Sequence, residues 1–336
     1  MSLKEIKWGI IGCGDVTEVK SGPAFSKIKD SFLVAVMRRD AGKAEDYAKR
    51  HGVAKWFSNA DELINDTEVN AIYIATPPGS HEEYTLKALA AGKPVYVEKP
   101  MTLNAESAKR MTEAANQSGV KLTIAHYRRA QPMFMKIKQL IDEAAIGDIR
   151  FAKLEMFQSI SNELIAKSDE DWRRNPKVSG GGLFHDLAPH QLDLMYYFFG
   201  EMESFSGLEL NQARLSAADD FVTRQIKFKS GVIFNGTWCF TVAAADQKDI
   251  CEIYGSTGKI SFSVFGNTVT LSVGGKENNI VFDPIPHVEQ PMIEKVVAYF
   301  LNRGANPCSP EDGVLSMVLL DGIKIDQKSV YSASNL

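Results

Sequence analysis

Between Ile6 and Ile124 short apolar runs alternate with amphipathic helical stretches, and this alternation constrains the fold more than any other feature of the chain. The runs are Ile6–Ile11, Phe32–Met37, Ala71–Ala75, Pro94–Val97 and Lys121–Ile124. Ala71-Ile72-Tyr73-Ile74-Ala75 has almost no polar face, so both of its faces must be covered, as in a parallel strand with helices on either side. The pattern predicts an α/β unit over residues 1–124, a doubly wound parallel sheet. Helix punctuation agrees: Ser80 with Glu83 three positions on reads as a capping box, and Gly92 and Gly119 stand where helices should stop.

After a helix near Gln131–Glu143 the texture becomes strand-like: Ile149–Phe157, Phe221–Phe228, Val232–Phe240, Ile250–Tyr254, Lys259–Val264 and Thr268–Val273. Turn residues such as Lys229-Ser230-Gly231 and Gly255-Ser256-Thr257-Gly258 separate the runs and predict antiparallel neighbours. Helices are expected over Leu183–Phe199, Val288–Leu301 and Pro310–Lys328. Residues 125–336 therefore read as a second, α+β domain with a large open, mostly antiparallel sheet. At 336 residues the chain can bury two such cores.

Composition narrows the function. Apolar residues at 44% and charged residues at 24% suit a water-soluble protein, and no apolar run spans a bilayer. The N-terminus enters a strand at once without an export signal, which predicts a cytoplasmic location. A net charge of −4 with no Lys/Arg block argues against nucleic acid or membrane as the partner and for a small molecule. Cys13, Cys239, Cys251 and Cys308 have neither metal-ligand nor disulfide spacing and read as free thiols.

Gly12-Cys13-Gly14 joins the first strand to the first helix, where a glycine turn brings backbone N–H groups to a dinucleotide pyrophosphate, with Asp15 and Val16 opening the helix. The same glycines also fit a plain tight turn, and Thr17 stands where a third small residue is usual. At the end of the second strand, Arg38 occupies the position of the acid that bonds a ribose 2′-hydroxyl. With Arg39 it favours a 2′-phosphate, hence NADP over NAD. The opposing reading leaves both arginines solvated and turns Asp40 inward to the ribose. Thr76-Pro77-Pro78-Gly79-Ser80-His81 follows the third run at the same sheet edge. There Thr76, Pro77, Pro78 and His81 either line the cofactor groove or form a rigid turn.

Glu98-Lys99-Pro100 follows Val95-Tyr96-Val97 at that edge. A lysine held between a glutamate and a nicotinamide can bond the reacting oxygen, whereas an exposed surface lysine is the plain alternative. Asp186, His190 and Asp193, after Gly180-Gly181-Gly182, share one face of a helix. Imidazole titrates where proton transfer at neutral pH needs it, and an acid one turn away could fix its tautomer. His185 leaves that face and no cysteine is near, so no metal is expected.

These stretches, in this order, resemble the glucose-fructose oxidoreductase and inositol dehydrogenase (Gfo/Idh/MocA) family along nearly the whole chain. The resemblance implies an N-terminal Rossmann domain and a C-terminal domain whose sheet forms a homodimer or homotetramer. It implies Lys99 as catalytic lysine and Asp186 and His190 as the substrate-binding and acid/base pair, with Glu98 on the cofactor side. Trp172 and Arg173 resemble a pair near the nicotinamide, and Arg128 a residue at the domain junction near the pocket. Hydride transfer between NAD(P) and a carbinol carbon of a sugar, polyol, inositol or related cyclic alcohol is the expected reaction. The alternatives are a sensor that binds dinucleotide without turnover, and a reductase of aromatic dihydrodiols or tetrapyrroles, whose mark would be an aromatic, apolar pocket.

Overall fold

A computed structural model describes residues 3–160 and 175–322. The first unit holds strands β1 (Ile6–Ile11), β2 (Ser31–Met37), β3 (Lys55–Phe57), β4 (Ala71–Ile74), β5 (Val95–Val97) and β6 (Leu122–Ile124). Helices α1 (Asp15–Val19), α2 (Gly22–Phe25), α3 (Ala41–His51), α4 (Ala60–Asn65), α5 (His81–Ala90) and α6 (Ala105–Ser118) connect them. The sheet runs β3-β2-β1-β4-β5-β6, parallel throughout. Every residue of β4 is buried, as its unbroken apolar run requires. The order reverses at β1, with β2 on one side and β4 on the other, so the crevice at its carboxyl edge is the topological switch point where such sheets take ligands. Three-residue β3, an edge strand, is too short to leave a pattern in sequence.

Helix α7 (Pro132–Asp142) leads to β7 (Ile149–Phe157), then α8 (Pro176–Ser179) and α9 (Gly182–Phe199). There follow β8 (Met202–Leu210), β9 (Phe221–Phe228), β10 (Ile233–Cys239), β11 (Lys248–Gly255), β12 (Gly258–Phe262), β13 (Thr268–Val273) and β14 (Lys276–Val281). They form an eight-stranded sheet, β14-β13-β12-β11-β7-β10-β9-β8. Its pairs are antiparallel with one exception: β7 and β10, at the centre, run parallel. The two outermost strands, β8 and β14, are not apparent from sequence because both are largely exposed: β14 is mostly polar, and the apolar residues of β8 follow no regular alternation.

Helices α10 (Gln290–Phe300) and α11 (Pro310–Asp321) return to the first unit. Phe300 packs 5.6 Å from the Trp8 ring, and Ile124 N donates to Cys308 O at 3.2 Å. Arg129, just beyond β6, ties three segments together. Its Nε and Nη2 donate to Asp193 of α9 at 2.8 and 2.7 Å, and its Nη1 donates to Asp312 of α11 at 2.8 Å. Asp193 thus serves structure, holding α9 against the edge of the parallel sheet.

The helix stops at Gly92 and Gly119 are as expected, both with positive φ. The capping box at Ser80 is absent. Its hydroxyl turns back to donate to Thr76 Oγ1 and Pro77 O, at 2.8 and 3.1 Å, and so is used inside the turn. Among the described residues no helix is long and apolar enough to cross a membrane, and no cluster of side chains could hold a metal ion.

Candidate active site

Adjacent strands bring the sequence motifs together. Gly12 follows β1, Thr76 follows β4 and Lys99 follows β5, so all three share the carboxyl edge at the switch point. Gly12 has φ +97°, and a Cβ there would lie 2.8 Å from Thr76 N, so the neighbouring loop itself requires glycine. A Cβ on Gly14 would instead project into open space. Among the described residues nothing crowds that position, and such room is what a pyrophosphate needs. Thr17 costs no packing at the third position: it is fully buried and its hydroxyl donates to Gly14 O at 2.8 Å. Asp15 is exposed and Val16 half-buried at the mouth of this turn.

Arg38 is half-buried and its Nη1 donates to Cys13 O at 3.3 Å, so the guanidinium overhangs the glycine turn. Arg39 is exposed. Asp40 does not turn inward to a ribose. It is the N-cap of α3, accepting from Lys43 N at 3.0 Å. The groove side of this end of the sheet is therefore lined by arginine.

Two residues expected on the cofactor face inward instead. His81 is wholly buried between the β4 and β5 loops, with Nε2 2.6 Å from Thr76 O and Nδ1 3.1 Å from Pro100 O, and a neutral ring donates to one of these two carbonyls. Burial pushes its pKa down to about 4, so the ring is neutral. Glu98 is buried, and its carboxyl accepts from Tyr73 Oη at 2.6 Å and from Lys99 N at 3.1 Å. Thr76 and Pro77 remain half-buried along the groove, while Pro78 is buried. Trp172 and Arg173 lie outside the described residues.

Lys99, joined to Pro100 by a cis peptide bond, reaches across to α9. Its Nζ donates to the Asp186 backbone carbonyl at 2.8 Å and to Asp186 Oδ1 at 3.1 Å, with both side chains largely buried. The lysine of one unit and the acid of the other are thus in contact. His190, one turn further along α9, is buried, edge-on to the rings of Tyr127 (5.2 Å) and Phe265 (5.7 Å). Its pKa is held well below the usual value by burial first, then by the positive charges of Lys99 and Arg128. The imidazole is therefore neutral, and the same surroundings lower its basicity. The carboxylate expected to fix its tautomer goes to Lys99 instead, and His190 Nδ1 has no hydrogen-bond partner among the described residues. Arg128 is also buried, its guanidinium 4.4 Å from the centre of the Phe265 ring that His190 touches.

The triple glycine forms a close-packed turn into this helix. Gly180 and Gly182 have positive φ, and a Cβ on Gly181 would lie 2.0 Å from the His185 ring. The close approach is made by the chain's own histidine, whose burial and nearby Arg224 lower its pKa to about 4. Sequence reasoning missed Tyr127 and Phe265, which wall His190, and Glu289. Glu289 precedes α10 by one residue and reaches Tyr73 Oη at 3.4 Å.

A Rossmann crevice with room for a pyrophosphate, beside a lysine–carboxylate contact and a neutral histidine, defines a nicotinamide-dependent oxidoreductase. The family described as "Oxidoreductase family, NAD-binding Rossmann fold" matches residues 6–126, and the GFO/IDH/MocA C-terminal domain matches residues 134–261. The chain is 49% identical to Oxidoreductase P35 of Formosa agariphila, over 94% of this chain and 97% of that one. It is 31% identical to trans-1,2-dihydrobenzene-1,2-diol dehydrogenase of Mus musculus, over 81% and 78% of the two chains. With 1,5-anhydro-D-fructose reductase of Ensifer adhaerens it shares 27% identity over 93% of each. The chain belongs to the Gfo/Idh/MocA family of oxidoreductases.

Proposed function

We propose that this oxidoreductase moves hydride between NADP(H) and a carbinol or carbonyl carbon of a sugar, polyol or related cyclic alcohol. The contact of Lys99 with Asp186 across the two units, one turn from a neutral His190, carries the reading. The nicotinamide, when bound, supplies the hydride acceptor or donor. Gly12, Gly14, Thr76 and Pro77 would hold the coenzyme along the switch-point crevice, with Arg38 and Arg39 at its adenosine end.

In oxidation the neutral His190 accepts the hydroxyl proton, while the Lys99 ammonium bonds the substrate oxygen and stabilises its developing charge. Asp186 keeps that ammonium aimed at the pocket and offers an acceptor to a neighbouring hydroxyl. Reduction runs the same transfers backwards. The small-molecule relatives support carbinol chemistry: one is named for reduction of an anhydro sugar and another for oxidation of a cyclic diol. Tyr127 and Phe265 beside His190 give the ring-stacking walls that either cyclic substrate would use.

The use of Asp40 Oδ1 in the α3 cap and the placing of the Arg38 guanidinium over the glycine turn support NADP(H). The test of the whole reading is Lys99→Met, assayed on a panel of sugars, polyols and cyclic diols by nicotinamide absorbance. The variant should bind coenzyme normally and lose turnover by about a hundredfold or more. Undiminished turnover would overturn it, and coenzyme binding with no turnover by the wild type on any substrate would favour the sensor.

A further inference from the structure

Directly behind Lys99, four side chains from four parts of the chain meet around one hydroxyl. Tyr73 Oη, in β4, lies 2.6 Å from Glu98 Oε1, 3.1 Å from Ser21 Oγ and 3.4 Å from Glu289 Oε2. All four residues are almost completely buried. Two carboxyl groups enclosed with a single tyrosine cannot both stay ionised, because each removes solvent from the other and like charges repel. Glu289 Oε1 has no partner from any ordinary donor or acceptor among the described residues. A proton on Glu289, given to Glu98, supplies one, and it leaves a pair with a single negative charge.

The electrostatics run the same way. Burial raises the pKa of both acids, and Glu98, whose two oxygens already accept from Tyr73 Oη and Lys99 N, is the one placed to keep the charge. Lys20, after α1, faces Glu289, and its backbone carbonyl accepts from Glu289 N at 3.3 Å. Tyr96 of β5 stacks on the Tyr73 ring at 5.2 Å, and burial pushes its pKa up.

We propose that Glu289 is a positioning residue for Lys99: as a neutral acid it donates to Glu98, and the singly charged pair, anchored on Tyr73 and Ser21, clamps the backbone that carries the lysine. The clamp acts through Lys99 N, which donates to Glu98 Oε2 at 3.1 Å. It joins the segment before α10 to the end of β5, so the C-terminal part of the chain takes part in aiming the lysine. The proposal rests on the role given to Lys99 above, and its test is chosen to fail separately from that role.

Glu289→Gln keeps a donor to Glu98 and one net charge, and Glu98→Gln keeps the same charge with the donor reversed. Each should retain kcat within about threefold of wild type. The double Gln variant removes the charge and Glu289→Ala removes the donor. In each, kcat should fall about a hundredfold, as for a catalytic group displaced by about an ångström, with KM for the coenzyme unchanged. Infrared difference spectra of the full-length wild type against Glu289→Gln at neutral pH should show one protonated-carboxyl band, lost in the variant. That readout needs no substrate and decides the matter if Glu289→Ala does not fold. No such band, or a Glu289→Gln enzyme as slow as Glu289→Ala, overturns the proposal. An active Lys99→Met enzyme would instead remove the assigned role of the lysine and leave the infrared result standing.

Discussion

Arg129→Met isolates what holds the two halves of the site together. The guanidinium is about nine-tenths buried and makes a two-bond fork to Asp193, whose side chain is 2% exposed, plus a third bond to Asp312. Burial opposes the charge on Arg129, yet Asp193 and Asp312 hold its pKa well above the ordinary value. His126 offers Asp193 little compensation: its ring is 3.7 Å away, and burial keeps it neutral. Methionine fills much the same space but leaves the Asp193 carboxylate without its cation. Breaking a buried pair from one side costs about 3–5 kcal/mol, most of it the stranded charge, and Asp312 adds little because it is closer to solvent and keeps its bond to Ser309 N. Urea unfolding monitored by tryptophan fluorescence should show that loss as a lower midpoint at unchanged slope. Arg129→Met combined with Asp193→Leu should recover at least about 1 kcal/mol of it, because the stranded charge goes too. A loss below about 1 kcal/mol for the single variant, or strict additivity in the pair, would refute the reasoning.

Arg38→Ala should weaken NADPH binding about tenfold, the worth of one charge-assisted hydrogen bond, and leave NADH binding unchanged in fluorescence titrations. Equal effects on both coenzymes would remove Arg38 from the 2′-phosphate. Stability should fall as pH drops from 7 to 5. His81 and His185 titrate near 4 when folded and near 6.5 when unfolded, so the unfolded chain binds the extra protons across that window and each residue costs about 2 kcal/mol by pH 5. Urea midpoints at the two pH values measure the drop, and His185→Asn should flatten it. A variant with the full wild-type slope would show that His185 is not a source of it.

Much of this architecture is legible in the chain because parallel strands covered on both faces must be apolar throughout, as Ala71–Ile74 is. The site motifs are legible for a related reason: Gly12, Lys99 and His190 each sit at the end or on the face of an element whose pattern is clear. Side-chain direction is less accessible. Successive residues at a strand end point opposite ways, so with Lys99 facing the groove, Glu98 had to face the interior, an inference the alternation alone would have permitted. Asp186 and His190 share a face, yet which of them Lys99 meets depends on how α9 docks. The Arg129 fork sets that, and no local pattern announces it. Glu289 is beyond reach altogether, since its partners lie in β4 and just after β5, roughly two hundred residues earlier, and only the folded chain brings them together.

The parallel pairing of β7 with β10 bears on how the chain is made. β7 is the first strand of its sheet to leave the ribosome, yet both of its neighbours, Ile233–Cys239 and Lys248–Gly255, are synthesised much later. Until then its two hydrogen-bonding edges have no native mate, whereas β8 and β9 can zip together as a local hairpin. The larger sheet therefore cannot close around its oldest strand until β10 and β11 have both emerged, and the interval before that is when a nascent chain of this kind is most exposed to pairing with a stranger.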